Sequence, residues 1–237
     1  MDSRTQEDFL DGQILLIDKP LGWSSFQAVN KLKWAIRTKF KLKKFKIGHA
    51  GTLDPLATGL LIICSGKFTK RITELQGQVK EYTGTITLGG TTPSYDLETE
   101  VDKTYPTEHI TEALLKETLP QFIGDIEQRP PVFSALKKDG KRLYEYAREG
   151  KEVEIKLRSV NVSVFEITEM KLPDVKFRIV CSKGTYIRSL AHDLGQALQS
   201  GGHLSELRRT KIGDYNVNNA IDPSVFAENL LGKTSES

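Results

Sequence analysis

The sequence predicts an α+β fold, a mixed and mostly antiparallel central sheet flanked by helices, in one domain spanning residues 1–237. Three observations predict it. Apolar and polar residues alternate with period two over Tyr82–Leu88 and again over Val153–Val164, the pattern of strands covered on one face. Segments of helical spacing, such as the one that follows Ser24 and Ser25, lie between such runs without alternating regularly with them. No internal repeat and no linker forces a cut into separate domains.

Taken in order, Ile14–Ile17 is a short apolar run ended by Asp18-Lys19-Pro20, a strand running into a turn. Ser24 or Ser25 caps a following helix on which Phe26, Val29, Leu32 and Ile36 share a face. A basic stretch leads to a glycine-rich turn at Gly48–Gly51, then a buried strand at Gly59–Cys64 and a short helix over Phe68–Leu75. Tyr82, Gly84, Ile86 and Leu88 form one side of a strand that Gly89-Gly90 ends. Thr111 caps an amphipathic helix reaching Phe122. Gln128–Gly150 shows little periodicity and reads as a long loop, a feature usually functional when it lies inside a compact chain. Val153, Ile155 and Leu157, then Val160, Val162 and Val164, suggest a long strand pair, with another strand at Lys176–Cys181 and a helix over Thr185–Leu198. Beyond Gly213 the pattern is weak, and Gly232–Ser237 reads as a frayed tail.

With 38% hydrophobic and 27% charged residues, the composition is that of an ordinary globular protein. The longest apolar run, Gly59–Cys64, is far short of the ~20 residues that span a bilayer. Met1–Asp11 is polar and acidic, unlike a secretory signal or transit peptide, and Cys64 and Cys181 sit in separate apolar contexts as buried thiols. A cytoplasmic location is expected. The net charge of +3 does not by itself imply nucleic acid, but from Lys31 to Lys46 eight Lys and Arg residues occur with no acid, interleaved with Trp34, Phe40 and Phe45. That stretch suits either a solvated helix face or a phosphate-binding surface. His109, His192 and His203 share no metal spacing, and Gly84, Gly89 and Gly90 lead no helix that would cradle a phosphate.

The segment Gly48-His49-Ala50-Gly51-Thr52-Leu53-Asp54-Pro55-Leu56-Ala57-Thr58-Gly59 carries the chemistry. Two glycines permit a tight turn before Asp54, and Pro55 confines Asp54 to extended geometry. The carboxylate is thus offered on a stiff loop ahead of a buried strand. Such a residue serves either as a nucleophile or base, or as a structural Asp accepting backbone N–H groups in a turn, the commoner fate of Asp beside Gly and Pro.

The whole string closely resembles the signature loop of the TruB family of pseudouridine synthases. Five further blocks resemble the family in the same order: Gly12–Pro20 with Gly22 and Ser25; Lys80-Glu81-Tyr82 with Leu88-Gly89; Gln128-Arg129-Pro130-Pro131 through Gly150; Gly184–Leu190; and Leu207-Arg208-Arg209. The resemblance implies the pseudouridine synthase fold with an RNA-gripping thumb at about 128–152, and isomerisation of the T-loop uridine of transfer RNA. It assigns Asp54 as the catalytic carboxylate, attacking sugar C1′ or base C6, and Tyr82 as the ring that stacks on the base and a candidate for removing the C5 proton. Arg188 matches the arginine paired with the aspartate, Tyr186 and Leu207 the pocket walls, and His49 a residue that fills the space left by the flipped nucleotide. Lys19 in the opening motif, and Lys137, Lys141 and Arg142 in the thumb, are expected to bind substrate.

The chemistry fits these residues. Isomerisation breaks one N-glycosidic bond and makes one C–C bond with no redox step and no added water, so no metal or cofactor is expected. A neighbouring arginine keeps a partly buried carboxylate charged, and an aromatic face worth ~1–3 kcal/mol holds the detached base. Ala50 stands where many relatives have Thr or Ser, and Thr91–Asp96 departs from the family pattern, so a surface contact there is expected to differ. About 22 residues follow Tyr215, too few for the PUA domain of many relatives, so a monomer acting on the T-arm stem-loop without guide RNA is expected. An RNA chaperone without catalysis, a hydrolytic N-glycosidase and a plain phosphate-binding protein are the competing readings. The first makes Asp54 dispensable, the second releases free uracil, and the third has no base preference.

Overall fold

The structure, a computed structural model, describes residues 3–134, 136–138, 140–149 and 153–232. Ala135, Asp139, Gly150, Lys151 and Glu152 of the expected thumb, the last five residues of the expected tail, and the side chains of Lys137, Lys138, Tyr144, Ala147 and Arg148 lie outside that description. Two compact units divide the chain, Met1–Tyr82 with Arg208–Ser237, and Thr83–Leu207. In chain order, α1 (Gln6–Asp11), β1 (Ile14–Lys19), α2 (Ser25–Phe40), β2 (Ile47–His49), β3 (Ala57–Ser65) and α3 (Ile72–Gly77) precede β4 (Lys80–Leu88). There follow β5 (Gly90–Thr91), β6 (Lys103–Thr104), α4 (Glu112–Thr118), β7 (Gly124–Gln128), β8 (Lys137–Lys138), β9 (Lys141–Arg142) and α5 (Leu143–Arg148). The chain continues through β10 (Arg158–Lys171), β11 (Asp174–Cys181), α6 (Ile187–Ala197), β12 (Gly202–Ile212), β13 (Tyr215–Asn216) and α7 (Pro223–Leu231).

The main sheet has the hydrogen-bonded order β1-β3-β12-β4-β11-β10-β7, with β2 also on β3 and β13 on β12. The pairs β1/β3, β2/β3, β7/β10, β10/β11 and β12/β13 are antiparallel, and parallel contacts occur as single bridges at Ile17–Ile221 and Asp96–Leu204. The fold is therefore α+β with a mixed, mostly antiparallel sheet, as the alternation pattern predicts.

In the first unit β3 is buried on both faces, and the strand period sorts its side chains into two cores. Leu61 and Ile63 join Leu15 and Ile17 of β1, Leu32 and Ile36 of α2, and Phe226 and Leu230 of α7. Leu60, Ile62 and Cys64 join Leu75, Ile212 and Val217 on the other side. Full burial of each such side chain contributes ~1.5–3 kcal/mol, so β3 is the stiff axis from which the Asp54 loop projects. Ser24 and Gln27 form a reciprocal capping box at the start of α2, which ends at Lys41 in the left-handed region. Phe26 faces solvent rather than sharing the helix's buried face, which is made by Ala28, Val29, Leu32, Ala35 and Ile36.

The second unit contains the β7-β10-β11 meander, whose core includes edge-to-face contacts of Phe165 with Phe122 and Phe177. Val153–Leu157 forms no strand, contrary to the expected pairing. The register pairs Arg158, the first residue of β10, with Gln128, the last of β7, so residues before Arg158 have no β7 partner, and Leu157 is exposed. Thr111 does cap a helix, but α4 gives way to a 3-10 turn over Leu119–Phe122, where Pro120 cannot donate a helical hydrogen bond. The expected long loop holds a two-residue hairpin, Lys137 opposite Arg142 and Lys138 opposite Lys141, followed by α5. Among the described residues no helix is long and apolar enough to cross a membrane.

Candidate active site

Asp54 lies in the turn between β2 and β3, and three anchors within the first unit hold that turn. Ser25, the first residue of α2, accepts a hydrogen bond at Oγ from the Leu53 N–H (2.8 Å) and donates one to the Leu53 carbonyl (3.0 Å). Lys19, at the end of β1, is fully buried and its Nζ donates to the carbonyls of Pro20 (2.9 Å), Trp23 (2.6 Å) and Pro55 (3.4 Å). Arg209 on β12, 1% exposed, donates from Nε to the Leu60 carbonyl (2.8 Å), from Nη1 to that of Thr52 (3.3 Å) and from Nη2 to that of Gly51 (3.0 Å). Gly59 makes this packing possible: with φ of +102°, a Cβ there would lie 2.3 Å from the Arg209 carbonyl oxygen. The residues on both sides of Asp54 are thus fixed through their backbone, with the Ala57 N–H donating to the Asp54 carbonyl (3.1 Å).

The electrostatics follow from these anchors. Burial lowers the Lys19 pKa to about 8, partly opposed by the negative charge of Asp54 and reinforced by the guanidinium of Arg209. His49, last in β2, is shifted down by burial and by Arg209, which favours the neutral ring, and its buried Nδ1 has no hydrogen-bond partner among the described residues. Arg208 points to the opposite face of β12 from Arg209, as strand alternation requires, and makes a two-pronged ion pair with Asp18 (3.0 and 2.7 Å). Tyr82 on β4 is 9% exposed.

A pH dependence follows for Lys19. As pH rises through about 8 its ammonium loses the proton that serves the three carbonyls and sits near Asp54. Its folded pKa lies below that of the unfolded chain, so deprotonation relieves a burial penalty and adds to stability between about 8 and the ordinary lysine value. The expected loss above pH 8 is therefore of activity, not of folding. Single-turnover rates of wild type should fall on that alkaline side, and Lys19→Met should be slower and flat across it. Superimposable pH profiles for the two proteins would remove Lys19 from this role.

In the second unit Arg188, in the first turn of α6, is buried. Its Nη1 lies 3.5 Å from Asp96 Oδ2 and donates to the Ser94 carbonyl (3.3 Å). The Thr91–Asp96 segment, expected to differ by a surface contact, instead carries the buried Asp96. The Asp96 carbonyl accepts from Thr92 Oγ1 and Ser94 Oγ, and its Oδ1 accepts from the Glu98 N–H. Tyr186 is half-buried, and its backbone N–H and carbonyl are both bonded by the Gln128 side-chain amide (2.8 and 3.0 Å). Ser189 Oγ donates to the Arg129 carbonyl (2.7 Å), so the start of α6 is tied to the start of the thumb segment. Leu207, on β12, is half-buried. Lys141 is ion-paired with Glu149 and lies 4.9 Å from the Tyr146 ring centroid, while Arg142 is exposed.

The first unit therefore brings Asp54, Lys19 and His49 together around Arg209, and the second brings Arg188 and Tyr186 to one end of α6. The sequence offers Ser25 only as a helix cap and motif residue and gives Arg209 and Asp96 no individual role at the site. Adjacent Arg208 and Arg209 carried a usable signal, because neighbours on a strand face opposite sides and one of the two must point inward.

The model of the TruB family pseudouridylate synthase N-terminal domain matches residues 37–187, and that of the tRNA pseudouridylate synthase B C-terminal domain matches residues 188–233. A tRNA pseudouridine synthase B of Flavobacterium johnsoniae is 67% identical over 227 residues, covering 95% of this chain and 99% of the relative. One from Bacteroides fragilis is 55% identical over 221 residues, 93% of this chain and 95% of the relative. Among solved structures, a chain of a Cbf5-Nop10-Gar1 complex superposes with a TM-score of 0.67 at 31% identity, covering 92% of this chain and 54% of that one. This chain thus spans about half the length of that chain. These matches define a pseudouridine synthase, an isomerase of uridine in RNA. The chain belongs to the TruB family.

Proposed function

We propose that this chain converts the T-loop uridine of transfer RNA to pseudouridine, with Asp54 as the nucleophile. The observation that carries the reading is a carboxylate whose loop is held at Leu53 by Ser25, at Pro55 by Lys19 and at Gly51 and Thr52 by Arg209. Such anchoring restrains the reach of a nucleophile before substrate arrives. Attack by Asp54 at C1′ or C6 lets the N1–C1′ bond break. The base turns so that C5 bonds to C1′, C5 gives up its proton, N1 gains one, and Asp54 is released, leaving the RNA mass unchanged. Tyr82 stacks on the base and is the candidate for the C5 proton, and Arg188 supports the charge of Asp54. Tyr186 and Leu207 wall the pocket, and His49, whose Nδ1 has no hydrogen-bond partner among the described residues, fills the space of the flipped nucleotide. Flipping costs a few kcal/mol, which phosphate contacts offset.

The names of the relatives support transfer RNA as substrate, and the same reading takes the T-arm stem-loop as the bound element. It takes the enzyme as a cytoplasmic monomer, one catalytic domain working without guide RNA. The test is incubation with unmodified transfer RNA, followed by mapping with a pseudouridine-selective reagent and mass analysis. One new pseudouridine in the T-loop at unchanged mass is expected. Free uracil, or no modification with full binding, would overturn it.

The thumb supplies a second measurement. Lys137, Lys138, Lys141 and Arg142 lie on one hairpin, and neutralising all of them should weaken RNA binding and flatten its salt dependence. The log–log slope should shrink by ~0.7–0.9 for each phosphate that is no longer neutralised. Because Glu149 already neutralises part of the Lys141 charge, the slope should change by less than four phosphates would give. An unchanged slope would take the hairpin off the RNA backbone.

A further inference from the structure

At the far end of β3 from Asp54 lies a groove of about 450 Å³ whose lining, among the described residues, includes Lys44, Lys46, Lys67 and Lys70 and no acidic residue. One wall is the segment entering β2, the other the 3-10 turn Gly66–Arg71 leaving β3. The Gly66 N–H donates to the Lys46 carbonyl (2.9 Å) and joins the walls. Gly66 has φ of +53°, and a Cβ there would lie 2.1 Å from the Leu10 carbonyl oxygen, so the turn is seated tightly against the end of α1. All four lysines are exposed. Among the described residues only Lys67 of the four has an ion pair, with Asp11, and both partners are so exposed that the pair holds little of the charge. Four cations on a stiff frame, with Thr69 Oγ1 turned back to the Gly66 carbonyl, make a surface for a polyanion rather than for a single small ion.

We infer that this groove is a second RNA-backbone site, holding phosphates of the substrate outside the hairpin whose uridine reaches Asp54. The inference rests on the reading of the chain as a transfer-RNA enzyme. Its reach comes from β3: the Asp54 carbonyl is bonded to the first residue of that strand, and Gly66 follows the last. Eight residue steps of ~3.3 Å separate the two ends, roughly 25 Å. That is too far for the flipped nucleotide or its neighbours in the loop to reach. The groove therefore serves RNA the reacting loop does not contain. It raises affinity for the whole molecule without touching the chemical step.

The test compares wild type with a variant carrying Lys44→Gln, Lys46→Gln, Lys67→Gln and Lys70→Gln, and with the four Lys→Arg changes. Dissociation constants are measured across a salt series for unmodified full-length transfer RNA and for its isolated T-arm hairpin. The Gln variant should bind full-length RNA at least tenfold more weakly at low salt, with a log–log slope smaller by one or more, while its hairpin affinity and single-turnover rate on the hairpin match wild type. The Arg variant should behave as wild type on both RNAs. An unchanged slope on full-length RNA would overturn the site, including the case where the groove holds an acidic protein instead. Equal losses on hairpin and full-length RNA would overturn its remoteness from the loop. Wild-type pseudouridine formation, assayed on the same preparations, tests the enzyme's function separately.

Discussion

Asp54→Asn is expected to bind RNA nearly as wild type does and to form pseudouridine more than about a thousandfold more slowly, a loss of at least ~4 kcal/mol in transition-state stabilisation. The amide has the shape of the carboxylate but cannot attack carbon. Its loop would be unaltered, because the anchors from Ser25, Lys19 and Arg209 all grip backbone atoms of neighbouring residues. Circular dichroism and RNA affinity would show that the protein is intact. Single-turnover assays with mapped product would show the loss. Turnover within tenfold of wild type would remove Asp54 as nucleophile and require a different group to attack the uridine.

Arg209→Met should produce the largest loss of stability among single changes near the site. The guanidinium is 1% exposed and serves three carbonyls, those of Gly51, Thr52 and Leu60. Methionine fills much of the volume and satisfies none of them. Each buried acceptor left without a donor costs ~1–3 kcal/mol, so a total of ~3–5 kcal/mol is expected after partial relaxation. At ~2–4 °C per kcal/mol for a chain of this size, Tm should fall by about 6–20 °C. Activity should fall too, by tenfold or more at temperatures where the variant is still folded, since Gly51 and Thr52 lead directly into Asp54 and small misplacements of a reacting group are costly. Arg209→Lys keeps the charge but one point donor instead of a fork, and should recover part of the stability. A Tm within 2 °C of wild type for Arg209→Met would mean that water replaces the side chain and that the loop is held by Ser25 and Lys19 alone.

Parts of this molecule were legible because their causes are local. The double burial of β3 is written in its unbroken apolar run, and the caps at Ser24 and Thr111 in a hydroxyl followed by helix-forming residues. Other parts were not. Strand β12 reads Gly-His-Leu-Ser-Glu-Leu-Arg-Arg-Thr-Lys-Ile, too polar to suggest a strand in the middle of a sheet, yet β3 and β4 flank it. The terminal α7, capped by Asp222 with Pro223 in its first turn, has only a weak pattern in the sequence, yet its Phe226, Ala227 and Leu230 sit in the core with α2. Helix α1 was hidden in the same way by an acidic surface around one buried residue, Phe9.

For the site the division is sharper. The sequence by itself determined that a carboxylate is presented at Asp54, because glycine freedom and the restriction before proline act on adjacent residues and need no distant partner. Only the tertiary structure decided which cations serve that loop and which meet solvent. Lys19, Arg188 and Arg209 look in the sequence like the surface residues that Lys and Arg usually are, and all three are buried. A cation tolerates burial only where carbonyls or a carboxylate meet it, and the partners that tie these three into the fold come from far along the chain: Leu60 for Arg209, Asp96 for Arg188 and, beside the nearby Pro20 and Trp23 carbonyls, Pro55 for Lys19. Their placement is set by strand register and by the packing of α6 in its own unit, and no window of sequence contains either.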